Sequence, residues 1–111
     1  MWKGVIDINN LVNGDLLKLT NVVEKTGDTY KIGVKEEDKE EFVQKAIKSI
    51  NKKGYVYIVK DKVMYVMFKN HMFKFSKGYP ELETARNYGK TQGISEEKMP
   101  FEHLIDNPFD I

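Results

Sequence analysis

Residues 55–76 read YVYIVKDKVMYVMFKNHMFKFS, with apolar side chains at both odd and even positions. Six of these residues are phenylalanine or tyrosine, three are methionine and four are lysine. With turns at Asp61-Lys62 and Asn70-His71, the stretch folds into three antiparallel strands. Ile58 then lies opposite Tyr65, Tyr55 opposite Phe68, and Phe68 opposite Phe73. One face collects Tyr55, Tyr57, Val59, Met64, Val66, Phe68, Phe73 and Phe75, with no charge among them, and is expected to be core. The other carries Lys60, Lys69 and Lys74 beside Val56, Ile58, Val63, Tyr65, Met67 and Met72. A bare apolar centre of that size is unusual on a soluble monomer, so a helix or the tail covers it or it is a binding surface.

A second meander is expected upstream. Asn13-Gly14 is the strongest hairpin signal, because both residues tolerate the positive φ of a type I′ turn. It would pair Ile8 with Leu19 and Ile6 with Asn21. A further turn at Thr26-Gly27 sets Val23 against Tyr30 and Leu19 against Val34. One face of this meander gathers Ile6, Ile8, Leu17, Leu19, Val23, Tyr30, Ile32 and Val34.

Between the meanders, Phe42, Val43, Ala46, Ile47 and Ile50 recur at the spacing of one helical stripe. Acids precede this stripe, lysines follow it and Gly54 stops it, all in the sense that the helix dipole favours. The spacing predicts a helix from Glu37 to Lys52. After Gly78 the strand pattern ends. Pro80 with Glu81 and Glu83 suits a helix start, and Phe101, Leu104 and Ile105 can dock one more short helix. At the tail, Pro108 ends that helix and Phe109 docks on the sheet.

The expected fold is α+β: two three-stranded antiparallel meanders separated by one long helix, with short C-terminal helices. Its 111 residues form one domain, with the meanders at 1–35 and 55–76, the helix at 37–53 and the C-terminal segment at 80–111.

The net charge of +1 conceals an uneven distribution. Residues 42–79 hold nine lysines against Asp61, whereas 80–111 hold seven acids against three bases. No stretch approaches the ~20 apolar residues of a membrane span, and the first residues lack a secretory apolar run. Cysteine is absent, which removes disulfides and thiolate chemistry. A cytoplasmic protein without membrane contact is therefore expected.

Catalytic signatures are missing from the pattern. Ser49, Ser76 and Ser95 each have a structural explanation, His71 and His103 pair with nothing recognisable, and Gly78, Gly89 and Gly93 are too scattered to cradle a phosphate. His103, Asp106 and Asp110 are too few, and too near a chain end, for a metal centre. No cofactor is expected. The segment ETARNYGKTQGISEEKMPFEHL has a helix-turn-helix outline, but Glu96, Glu97 and Glu102 would meet phosphate with the wrong sign.

What remains is a surface. The expected function is a non-enzymatic protein-interaction module of inhibitor, immunity or adaptor type that acts by occluding another protein. Tyr65, Met67 and Met72 are its candidate contacts, with Lys60, Lys69 and Lys74 as the rim. The same lysines and aromatics allow a second reading, a nucleic-acid-binding accessory protein. Self-association through that face is a third.

Overall fold

The computed structural model describes residues 1–51 and 53–111 and has one six-stranded antiparallel sheet in an α+β arrangement. The strands are β1 (Trp2–Asp7), β2 (Asn21–Thr26), β3 (Thr29–Val34), β4 (Val56–Lys60), β5 (Val63–Phe68) and β6 (His71–Ser76). The helices are α1 (Lys39–Ser49), α2 (Pro80–Thr91) and α3 (Phe101–Asp106). Across the sheet the order is β2-β3-β1-β4-β5-β6, so the two groups of three strands stand side by side in a single sheet.

The later group follows the expected plan with one change of register. Asp61 and Lys62 take φ of 51° and 67°, the left-handed pair needed by a tight turn between Lys60 and Val63. Ile58 lies opposite Tyr65 as expected. The next turn falls at Lys69-Asn70 instead of Asn70-His71, with Asn70 in the left-handed position. Phe68 therefore faces His71, and Phe73 pairs with Val66 rather than Phe68. Moving the turn by one residue moves the pairing by two, so every side chain keeps its face.

The earlier group is built differently. Asn13-Gly14 turns no hairpin, because the Asn13 side chain accepts the Asp15 N–H at 2.9 Å and caps a 3₁₀ segment, Gly14–Leu19. With about three residues per turn, Leu16 and Leu19 share a side, and Leu16 is fully buried. β1 runs between β3 and β4, pairing Trp2 with Val34 and Lys3 with Val59. The expected Ile8–Leu19 and Ile6–Asn21 pairs therefore do not form, and Ile6 lies opposite Tyr30. β2 and β3 make a hairpin turned at Gly27-Asp28, which places Lys25, not Val23, against Tyr30. Val23 is 63% exposed.

Helix α1 begins at Lys39 after a 3₁₀ turn at Glu36–Asp38 and ends at Ser49, where Ile50 turns extended and bridges to Leu11. The expected end at Lys52 lies outside the described residues. Phe42, Val43 and Ala46 are buried on one face of the sheet with Trp2, Ile32, Ile58, Tyr65 and Met67, and the Gly14–Leu19 segment extends that cover. On the other face α2, α3 and the segment between them bury Tyr57, Val59, Met64, Val66, Phe68 and Phe75. Both faces of β4 and β5 are thus core. A sheet with two apolar sides needs a layer on each, and the C-terminal third supplies the second one.

Arg86 ties that second layer together. Its side chain is 9% exposed, its Nε donates to the Met99 carbonyl at 3.3 Å, and its two terminal nitrogens donate to Glu83 and Glu102. The guanidinium also sits 5.6 Å from the Phe101 ring centroid. Arg86→Met should cost about 2 kcal/mol by equilibrium urea unfolding, because the charge-assisted bonds that join α2 to α3 are lost, while the Met99 carbonyl keeps the Phe101 N–H at 2.9 Å and both carboxylates can rehydrate. A cost under about 0.5 kcal/mol would show that α2 and α3 do not depend on this tether.

Candidate functional site

The expected contact surface divides into a covered part and an open part. Met67 is fully buried and Tyr65 is 6% exposed, both beneath α1. This corrects their reading as surface contacts, since a partner reaching them would have to displace the helix. The Tyr65 ring meets Trp2 edge-on at 5.2 Å, and Lys39 and Lys74 lie 5.1 and 5.6 Å from its centroid. Lys39 Nζ also donates to the Tyr65 hydroxyl at 3.2 Å. Its ammonium is held above the ordinary lysine range, first by Glu40 and then by Tyr65. Lys60 is half-buried and pairs with Glu36 at 3.6 Å. The Trp2 indole N–H donates to the same carboxylate and holds its pKa below the usual glutamate value, with Lys60 assisting.

Lys69, Met72 and Lys74 are exposed, and they lie together on β6 and the turn that leads into it. β6 is the last strand of the sheet. The two-residue turns make Lys60/Val63 and Phe68/His71 the hydrogen-bonded pairs that close each hairpin. Alternation then directs the N–H and C=O groups of His71, Phe73 and Phe75 inward to β5, and those of Met72 and Lys74 outward. Among the described residues, no backbone or side-chain partner reaches these outward groups. The ladder runs through six pairs without a register shift.

The opposite edge is less inviting. β2 is exposed along its whole length, but its register shifts between Val22 and Glu24. A bulge of this kind twists an edge away from incoming strands, a common protection against unwanted pairing.

The two sides of β6 differ in chemistry. On the α1 side stand Met72, which is 39% exposed, and Lys74. The Asn70 N–H donates to the Ile47 carbonyl at 2.8 Å, which holds the last turn of α1 against the turn that leads into β6. On the α2 side His71 stacks on Tyr88 at 4.7 Å, and Phe73 lies 5.6 Å from the same ring. This aromatic corner was missed in the sequence. Its only trace there is the parity that puts His71, Phe73 and Phe75 on one face.

Several charges elsewhere are paired. Asp106 receives Lys77 at 2.6 Å and Lys62 at 3.2 Å, and these two cations hold its carboxyl below the ordinary range. Lys90 pairs with Glu96 at 2.6 Å, and His103 with Asp110 at 2.6 Å. Among the described residues, Lys69 and Lys74 make no ion pair, as is also true of Lys3, Lys25, Lys35, Lys45, Lys48, Lys53 and Lys98, and no three His, Asp or Glu side chains converge as metal ligands. No helix among them is long and apolar enough to cross a membrane.

Two hollows lie elsewhere on the surface. One of about 640 Å³ lies beside Arg86 and is walled by Glu83 and Glu96, carboxylates that already hold cations. The other, about 570 Å³, lies between Tyr55, Tyr57 and the C-terminal residues. Its tyrosine hydroxyls donate to the Lys98 and Pro108 carbonyls, and burial raises both above the usual tyrosine range. Comparison with protein families, curated proteins and solved structures finds no match, so these surfaces are read from their own chemistry.

Proposed function

We propose that this chain is a small protein-interaction module of inhibitor, immunity or adaptor type, which acts without catalysis by covering a surface of another protein. The observation that supports this reading is the β6 edge, regular over its length, with unpartnered main-chain groups at Met72 and Lys74 and unpaired lysines beside it. Lys69, Met72 and Lys74 are its contact residues.

Placing a photo-crosslinking side chain at Met72, or at exposed Val12 as a control, in the full chain and irradiating it in native lysate tests the reading. A protein adduct of defined mass at Met72 and not at Val12 is the expected result. Equal capture at both positions would remove β6 as the working surface. The unpaired Lys69 and Lys74 beside partly exposed aromatic rings favour nucleic acid as the second reading. Adducts dominated by nucleic acid, with affinity falling about 0.9 log units per log unit of salt for each phosphate contacted, would promote it.

A further inference from the structure

We propose that β6 takes up an extended strand of a partner protein, pairing antiparallel to it, whose side chains alternate between acidic and apolar. The proposal rests on the reading of β6 as the working surface and specifies what binds there. Antiparallel addition continues the pairing of the whole sheet and satisfies the outward N–H and C=O groups of Met72 and Lys74.

Side-chain alternation then fixes the chemistry of the incoming strand. Residues opposite Met72 and Lys74 project to the α1 side, where the exposed Lys69 and Lys74 carry positive charge with no ion-pair partner. Carboxylates placed there oppose Lys74 directly, and their methylene stems lie against Met72. The residue opposite Phe73 projects to the other side, into the corner formed by His71, Phe73 and Tyr88. An apolar side chain fits that corner, because the ring faces already present are aromatic and half-covered. β2 lacks this combination: its register is broken, and Glu24 is already paired with Lys31 at 2.9 Å.

Titrating the ¹⁵N-labelled full chain with a capped octapeptide of alternating glutamate and valine tests the proposal, with alternating lysine and valine as the counter-probe. The acidic peptide should shift the amide signals of β6 and slow hydrogen exchange at Met72 and Lys74. Met72→Pro removes an outward N–H without touching the β5 ladder, and should weaken binding about tenfold or more. Lys74→Glu, an exposed change that leaves the backbone alone, should do the same and favour the lysine peptide instead.

Equal or tighter binding of the lysine peptide to the unaltered chain would overturn the acidic partner while leaving β6 as the surface. Shifts confined to other elements, or unchanged exchange at Met72 and Lys74, would overturn strand addition even if crosslinking at Met72 still yields a protein. Displacement of the acidic peptide by an oligothymidylate at equal concentration would overturn it in favour of nucleic acid.

Discussion

Met67→Ala is expected to lower the unfolding free energy by about 3 kcal/mol, whereas Met72→Ala should change it by less than about 0.5 kcal/mol. The two methionines are cross-strand partners on the same side of the sheet, so composition, strand propensity and chemical type are matched. Only cover differs. Met67 has no exposed surface beneath α1, and its removal opens a cavity among Tyr65, Ile58 and α1 that those neighbours can fill only in part. Met72 keeps 39% of its surface in water, so its truncation leaves a gap open to solvent and not a closed cavity. Paired urea titrations of the two variants measure the difference directly. Similar costs would mean that α1 does not close over β5 as described.

Gly4→Ala is expected to cost about 3 kcal/mol, with accumulation of unfolded chain as the visible consequence at physiological temperature. A methyl group at Gly4 would overlap the carbonyl oxygen of Tyr57 on β4 and approach its carbonyl carbon to 3.1 Å. Backbone cannot swing aside as a side-chain tip can, so β1 and β4 would have to separate where the two halves of the sheet join. Gly14→Ala is the matched control, since its methyl would meet only the Ile8 Cδ1, at 3.8 Å, an ordinary contact. Thermal unfolding of both should show a large drop for Gly4→Ala and little change for Gly14→Ala. A small drop at Gly4 would imply that β1 can slide on β4.

Much of the second meander was legible because period-2 alternation tolerates the commonest mistake. The sequence puts the turn at Asn70-His71, one residue after its actual place at Lys69-Asn70, yet the faces of Phe68, Phe73 and Phe75 are unaffected, since pairing moves by an even number. The first meander had no such protection. Asn-Gly signals a hairpin through its backbone freedom, but asparagine also caps helices through its side chain, and Asn13 does the latter. Leu16, adjacent to Leu17 and three before Leu19, was the residue that disagreed with a strand.

The site was legible in part. Alternation grouped Lys60, Tyr65, Met67, Lys69, Met72 and Lys74 on one face, but it says nothing about how far across that face a helix reaches. The eleven residues of α1 pack mainly over β5 and only partly over β6, which separates the buried members from the exposed ones. Sequence order also favours joining neighbours, so β1 was placed beside β2. Its actual position between β3 and β4 follows from strands distant along the chain.

That position of β1 has a temporal consequence. The β2–β3 hairpin and the β4–β5–β6 meander join neighbours in sequence and can form as soon as their residues are available, whereas β1 binds Val34 through Trp2 and Val59 through Lys3. During synthesis β1 emerges before the other five strands yet is flanked on both sides only once β4 has followed, so Trp2, Val5 and Ile6 stay incompletely covered until then. β1 acts as a clasp fastened late. Agents that capture nascent apolar strands should act on this chain before β4 is made and lose their hold once it is.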